Sequence, residues 1–125
     1  MTQKAAKVAS KRERVLTQAV LKTAEHLAMR DRDLAEVLGL SPGMISKMRN
    51  HGATLEDNRH PFQLAAALVR VYRSLAGIVG QEPAHIRAWF HAPNRDLDAA
   101  PAELVRKPQG LFTTLQYLDS HRAII

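Results

Sequence analysis

Residues 31–50, DRDLAEVLGLSPGMISKMRN, constrain the fold most, because their spacing suits two short helices that cross at close range. Ala35 supplies the small side chain that such a crossing needs, and Gly39 tolerates the positive φ of a tight turn. Ser41 offers a side-chain cap to the second helix, and Pro42 occupies a first-turn position where proline is favoured. The apolar residues spaced to face each other and the core are Leu34, Leu38, Leu40, Ile45 and Met48. The segment therefore predicts a helix-turn-helix.

The rest of the chain also repeats its apolar residues at helical spacing, and no stretch shows the alternation of a strand. Two apolar stripes along residues 61–79 predict a deeply buried central helix. Aromatic residues make up only 5% of the chain, which favours helix packing over a sandwich or barrel. No apolar run approaches the ~20 residues that a membrane span needs. The predicted helices cover 11–29, 33–38, 42–50, 61–79, 83–90, 101–105 and 110–121, with a polar loop over 51–60.

Positive charge is concentrated in the helix-turn-helix half. Residues 1–50 carry ten Lys and Arg against five Asp and Glu, whereas residues 51–125 carry eight against seven. Nucleic acid is the commonest partner of such a basic region, although a solvated basic face has the same composition. Any partner recognised through positive charge is therefore expected to bind the N-terminal half.

The outward face of the second short helix carries polar and basic side chains of the kind that reach base edges and phosphates in the major groove of DNA. Asn50 can pair bidentately with adenine, and Ser41 with the helix N-terminus can take a phosphate. SPGMISKMRN after DLAEVLGL resembles the recognition helix of phage-repressor-like domains, although an ordinary helical hairpin is the alternative. The candidate DNA-binding residues are Ser41, Gly43, Ser46, Lys47, Arg49, Asn50 and His51.

The C-terminal half, with VGQEPAHIRAWFHAPNRDLDAAPAELVRKPQGLFTTLQYL, reads as a small helical subdomain that closes over the central helix. Trp89 and Phe90 are expected to anchor its core, and Pro93 and Pro101 to fix its turns. The segment resembles Xre/MbcA/ParS-type antitoxins, the partners of RES-domain toxins. In that family a helix ends in Trp plus an apolar residue, an Asn, a Leu and a Pro follow, and Glu-Leu and Gly-Leu pairs complete the motif. The matching residues here are Trp89, Phe90, Asn94, Leu97, Pro101, Glu103, Leu104, Gly110 and Leu111.

The resemblance covers about residues 61–122, with the helix-turn-helix in its expected place upstream. One departure is the linker at residues 98–100, Asp-Ala-Ala, where the family often has glycine. The resemblance implies an antitoxin that blocks a NAD-consuming RES toxin and represses the shared operon. The implied toxin-binding residues are Asn94, Arg95, Asp96, Arg106, Lys107, Gln109, Tyr117, His121, Arg122, Ile124 and Ile125. The apolar residues interpreted as core instead are Trp89, Leu97, Leu104, Leu111, Leu115 and Leu118.

These observations predict an all-α chain in which an N-terminal helix-turn-helix unit packs with a C-terminal helical toxin-binding subdomain. The predicted divisions are a flexible basic arm over 1–10, a DNA-binding domain over 11–55, and a dimerisation and toxin-binding domain over 56–125. Operator DNA with paired half-sites needs two copies, so we expect a homodimer, with the helix at 61–79 or at 11–29 as the seam. The absence of cysteine fits a cytoplasmic location, and no cofactor or metal is expected.

Three other functions compete with this interpretation. The main alternative is a stand-alone dimeric helix-turn-helix regulator, whose C-terminal half serves only dimerisation. An RNA-binding adaptor would need aromatic stacking residues that the basic half lacks. An enzyme has the least support, because the chain has no cysteine, no phosphate-binding glycine loop and no HExxH, and its six histidines form no convincing ligand pair.

Overall fold

The structure, a computed structural model, describes residues 8–122, and the predicted all-α class is confirmed over that part of the chain. The helices are α1 (Lys11–His26), α2 (Asp31–Leu38), α3 (Pro42–Asn50), α4 (His60–Val79), α5 (Pro83–His91), α6 (Pro101–Leu104) and α7 (Pro108–Arg122). One isolated bridge between Asn94 and Ala99 is the only strand-like pairing between residues 8 and 122. The first helix ends three residues before its predicted end, because Ala28 adopts a positive φ of 55°.

The central helix is α4, as the two apolar stripes predicted. It packs against α1, α2, α5 and α7, and both stripes contribute fully buried residues, such as Leu68 and Leu75 from one and Ala65 from the other. The expectation about membrane spans was wrong in one respect, since α4 has 20 residues and is long and apolar enough to cross a membrane by length and composition. Half of its most apolar window is buried inside the structure, as in the core helix of a packed bundle.

The helix-turn-helix forms where the sequence predicted it. Ala35 is 2% exposed at the contact between α2 and α3. Gly39 takes the left-handed conformation, with a φ of 69°, that ends α2 and turns the chain. The hydroxyl of Ser41 then caps α3 by accepting a hydrogen bond of 3.1 Å from the backbone N–H of Met44. Four of the five predicted apolar residues are fully buried, and Leu40 is half-buried.

One hydrophobic core runs through both halves of the chain, from Val20 on α1 to Leu118 on α7. The two halves therefore share their buried residues, and the predicted boundary near residue 55 stays a prediction. Residues 1–7 of the predicted basic arm lie outside the described residues. Within the described part, Ser10 is the N-cap of α1, since its hydroxyl accepts a hydrogen bond from the backbone N–H of Glu13.

A buried carboxylate ties the start of α1 to the loop that precedes α4. Glu13 is 2% exposed, and its two oxygens accept hydrogen bonds of 2.8 Å from the backbone N–H groups of Ser10 and Asp57. One turn further on, the hydroxyl of Thr17 accepts from the N–H of Leu55 at 2.9 Å. The sequence predicted this loop as a polar connection without periodicity, and these bonds hold it against α1.

Candidate functional site

The outward face of α3 is open to solvent. Six of the seven predicted DNA-binding residues are exposed on it or at its ends: Ser41, Gly43, Ser46, Lys47, Asn50 and His51. The amide of Asn50 donates a hydrogen bond of 3.3 Å to the hydroxyl of Ser46, one turn earlier on the same face. Lys47 lies between them and forms no ion pair within the described residues. This face therefore presents one unpaired cation, an amide and a helix N-terminus together, which suits contacts to phosphates and base edges.

The seventh candidate, Arg49, is placed differently. Its Nε lies 2.8 Å from the carboxylate of Asp31 on α2, and its Nη1 lies 3.2 Å from that of Glu25 on α1. The side chain is only 24% exposed. Arg49 therefore joins the three N-terminal helices rather than pointing outward with its neighbours, so the structure gives it a role in holding α3.

The turn between α5 and α6 is built around Asn94. Its side-chain oxygen accepts hydrogen bonds from the N–H groups of Asp96 at 2.9 Å and Leu97 at 3.2 Å, and its own N–H donates to the carbonyl of Ala99 at 3.1 Å. The side chain of Asn94 thus closes this turn, and its predicted contact with a toxin stays a prediction. Asp98 adopts a φ of 63° in the same turn. That positive φ gives a physical reason for the glycine that the family often has in this linker, and Asp is among the residues that tolerate it.

The turn and the start of α7 enclose an apolar groove of about 510 Å³. Leu97 and Leu104 were predicted as core, but both are half-buried and line this groove. Gly110 closes one side, because α7 passes so near α6 that a Cβ at this position would collide with the carbonyl group of Leu104. The polar residues around the groove are Asp96, Glu103, Lys107, Gln109 and Thr113. Three of these were predicted as toxin contacts. Glu103 was noted only as a motif residue and Thr113 was not singled out, because their position beside the groove depends on the angle between α6 and α7.

An aromatic strip lies beside the groove. The rings of Trp89 and Tyr117 stack with centroids 6.4 Å apart, and the ring of His121 lies 4.2 Å from that of Tyr117. The phenol of Tyr117 donates a hydrogen bond of 2.7 Å to the carboxylate of Asp96. This bond, followed by burial, raises the pKa of Tyr117 above its usual value. Trp89 was predicted as a core residue, but it is only half-buried in this strip. Leu111, Leu115 and Leu118 are buried as predicted.

The other predicted toxin contacts have mixed positions. Arg95 is exposed. Arg122 donates a hydrogen bond of 3.2 Å to the hydroxyl of Ser74 on α4, so it anchors the end of α7. Ile124 and Ile125 lie outside the described residues. The groove and the aromatic strip therefore bring together Asp96, Lys107, Gln109, Tyr117 and His121 from the predicted set, beside the turn that Asn94 holds.

Arg106 joins the C-terminal half to the helix-turn-helix. Its guanidinium lies 3.2 Å from the carboxylate of Asp33 and 3.6 Å from that of Glu36, both on α2. Burial acts to raise the pKa of Asp33, but hydrogen bonds from the side chain and backbone of Arg30 and from Arg106 outweigh it and hold that pKa below its usual value. Arg106 is also a predicted toxin contact, which stays a prediction, and these ion pairs direct its guanidinium toward α2.

This interaction predicts a pH-dependent contribution to stability. Because the pKa of Asp33 is lowered by folding, its ion pairs stabilise the fold fully above the unfolded-state pKa, and the contribution is lost as pH falls through the folded-state value. A double-mutant cycle with Asp33→Asn and Arg106→Gln is expected to give a coupling free energy of about 0.2–1 kcal/mol at neutral pH, since Arg106 is partly exposed. Urea unfolding at neutral and acidic pH measures it. A coupling that persists in acid would contradict this assignment.

Residues 74–123 match the family model described as the antitoxin Xre/MbcA/ParS C-terminal toxin-binding domain. The predicted resemblance to these antitoxins is confirmed. The matched range contains the groove, the aromatic strip and every predicted toxin contact except Ile124 and Ile125. Residues 74–123 are therefore similar to the toxin-binding domain of these antitoxins.

The fold is also found among solved structures. A chain of the crystal structure of the M. tuberculosis MbcT–MbcA toxin–antitoxin complex matches with a TM-score of 0.64 at 22% sequence identity, over 89% of this chain and 96% of that chain. That overlap extends well beyond the toxin-binding domain, so the two chains share a fold along most of their length. No curated protein matches the sequence.

Proposed function

We propose that this chain is the antitoxin of a type II toxin–antitoxin system, which binds and blocks a RES-type, NAD-degrading toxin and represses its own operon. The observation that carries the proposal is the match of residues 74–123 to a toxin-binding domain. The same residues form an apolar groove with a charged rim beside a half-buried aromatic strip, which are features typical of a protein interface.

In this proposal the groove receives an apolar side chain of the toxin against Leu97 and Leu104. Lys107 and Gln109 on the rim bind acidic or polar groups around the toxin's nucleotide pocket, and Tyr117 and His121 extend the contact along α7. The antitoxin prevents NAD from binding by covering the entrance to the toxin's nucleotide pocket. It performs no chemistry itself. Truncating the central apolar contacts of such an interface typically has the largest effect on affinity.

The helix-turn-helix supplies the repressor activity. The six outward-facing residues of α3 contact operator DNA in a cytoplasmic homodimer, with Lys47 on a phosphate and Asn50 on a base edge. Support comes from their exposure and from the positive balance of the N-terminal half.

The test is co-expression of the chain with the protein encoded beside it, followed by affinity capture and an assay of NAD. We expect the neighbour alone to arrest growth and consume NAD, and the pair to form an inactive complex. Lys107→Glu on the groove rim is expected to weaken capture at least about tenfold, while the matched charge reversal Lys22→Glu, on the exposed part of α1, leaves it unchanged. If no neighbour binds, a dimeric DNA-binding regulator becomes the better account.

A separate prediction concerns operator binding. Lys47→Ala is expected to weaken binding to every DNA sequence and to lower the slope of log affinity against log salt concentration by about 1, because one phosphate contact is lost. Titrations at several salt concentrations with operator and random duplexes measure this, with Lys22→Ala as the control of equal charge change. An unchanged slope would place Lys47 away from the DNA backbone.

A further inference from the structure

The last turn of α1 is held by two side chains of α5. The carbonyl groups of His26 and Leu27 lie at the end of α1, where no later turn of the helix can bond to them. Arg87 donates from Nε to the oxygen of His26 at 3.3 Å, and Nε2 of His91 lies 2.7 Å from the oxygen of Leu27. Because Arg87 and His91 are four residues apart, they project from the same side of α5 and hold α1 together.

The side chain of Glu25 connects this end of α1 to α3, the proposed recognition helix. Its carboxylate lies 3.2 Å from Nη1 of Arg49, and Nε of Arg49 lies 2.8 Å from the carboxylate of Asp31 at the start of α2. Two nitrogen atoms of one planar guanidinium therefore bind carboxylates on two other helices, which fixes the direction of the guanidinium. A lysine has only one nitrogen and no such planar fork, so it cannot reproduce this arrangement.

α3 needs a second attachment of this kind. It has nine residues and packs mainly against α2, with Ile45 and Met48 buried. Packing of one helix pair by itself allows crossing angles that vary by about 15–20°. Arg49 adds a fixed contact near the other end of α3. Since Glu25 and Asp31 carry two negative charges against the one positive charge of Arg49, this group of residues does not attract DNA phosphates by its net charge. Its contribution to DNA binding is therefore the orientation of α3.

We propose that Arg87 and His91 hold the end of α1 in place and thereby, through the ion pairs of Arg49, position α3 for recognition of its operator. The inference rests on the proposed function, because it assumes that α3 reads DNA. It goes further by giving residues of the range 74–123, which matches a toxin-binding domain, a positioning role in DNA recognition. Trp89 of the aromatic strip is two residues from each of them and projects from the opposite side of α5. One helix thus serves both proposed sites from its two sides.

Operator binding separates positioning from charge. Glu25→Gln removes a negative charge, so charge alone predicts tighter binding to every DNA duplex. Positioning predicts instead that the ratio of operator affinity to random-duplex affinity falls about tenfold, as when one base contact is lost. Glu56→Gln is the matched control, because Glu56 is similarly exposed and pairs with Arg59, three residues away. It should leave the ratio unchanged, and an equal ratio in both variants would overturn the inference.

Two further variants follow the connection in each direction. Arg49→Lys keeps the positive charge, so a simple phosphate contact would survive it, whereas positioning predicts the same tenfold loss of discrimination as Glu25→Gln. Arg87→Ala combined with His91→Ala is expected to lower the ratio about as much and to leave toxin capture unchanged. His85→Ala, at an exposed position of α5, is the control for that pair. Full operator discrimination in Arg49→Lys would contradict the positioning role.

A distance measurement tests the inference without DNA, because the chain contains no cysteine to compete for labelling. Spin labels at Ser46→Cys on α3 and Ser120→Cys on α7, both exposed, give one distance distribution by pulsed EPR. We expect this distribution to broaden or shift in the Arg87→Ala, His91→Ala pair and in Arg49→Lys, with urea unfolding confirming that each variant is folded. If the alanine pair does not fold, Arg49→Lys decides the result.

Unchanged distances in the folded variants overturn the inference, whatever their DNA affinity. An unmodified chain that binds operator and random duplexes equally, together with altered distances in the variants, refutes the proposed repressor function and leaves the positioning of α3 established. Operator discrimination in the unmodified chain with unchanged distances in the variants has the opposite meaning. The proposed repressor then stands, and the attachment of α1 to α5 does not orient α3.

Discussion

Gly110→Ala is expected to abolish toxin capture while the chain as a whole stays folded. α7 begins against α6, and a Cβ at this glycine would lie 2.8 Å from the carbonyl carbon of Leu104 and collide with its oxygen. Backbone cannot move aside like the end of a flexible side chain, so the first turn of α7 must shift. Since Leu104 and Gly110 both line the groove proposed to bind the toxin, that shift changes the groove itself. Overpacking of this kind costs about 1–3 kcal/mol of stability.

The matched control is Gly77→Ala on α4. A Cβ there meets only the side chain of Arg122, at an ordinary contact distance of 3.6 Å. Alanine is the better helix former by about 1 kcal/mol, so this variant should be slightly more stable than the unmodified chain. Urea unfolding and capture by the toxin measure both properties. A Gly110→Ala variant that captures toxin with unchanged affinity would show that the start of α7 plays no part in the interface.

The helix-turn-helix could be predicted closely because its determinants are local. Ala35, Gly39, Ser41 and Pro42 act within a few residues of one another, through a close contact, a positive φ and a cap. Both helices and the turn could therefore be predicted, and the exposed face of α3 followed from the helical period. Arg49 is the exception, since its partners Glu25 and Asp31 lie on two other helices and only the packing brings them within reach.

The C-terminal half was predicted less well, because its features depend on how short elements are packed. Family resemblance supplied the positions of Asn94 and Gly110, but not what they do. Leu97 and Leu104 have the spacing and hydrophobicity of core residues, yet the angle between α6 and α7 leaves them lining a groove. Arg106 looks like a free surface charge in sequence, and its partner Asp33 is 73 residues away. The apolar character of a residue therefore predicted that it would be at least partly shielded from water. It did not distinguish a residue of the core from one that lines a surface groove.

The two proposed binding sites are connected through one part of the molecule. Arg106 lies two residues from the groove residue Leu104 and pairs with Asp33 and Glu36 on α2, the helix that packs against the recognition helix. The helix-turn-helix is therefore not a separate module on a linker. Its position is fixed by the same segment that forms the groove proposed to bind the toxin, which is why both proposed functions are expected to depend on correct packing of residues 92–110.

Glu13→Ala is expected to be the most destabilising single substitution of a polar residue in this chain. Glu13 is 2% exposed, and its carboxylate accepts hydrogen bonds from the backbone N–H groups of Ser10 and Asp57. Alanine removes that acceptor from both N–H groups, which form part-buried hydrogen bonds with it. Hydrogen bonds to a charged group contribute about 1.5–3 kcal/mol, so a loss of about 2–4 kcal/mol is expected.

The loss of the Glu13 carboxylate affects more than α1, because the same carboxylate holds the loop that leads into α4. Glu13→Gln keeps one oxygen but turns an amide donor toward the other N–H group, so it should recover only part of the loss. Glu56→Ala, in the same loop but in an exposed ion pair with Arg59, is the matched control and should change stability by less than about 1 kcal/mol. Urea unfolding followed by circular dichroism gives all three values. Equal effects of Glu13→Ala and Glu56→Ala would mean that burial of the Glu13 carboxylate does not stabilise this junction.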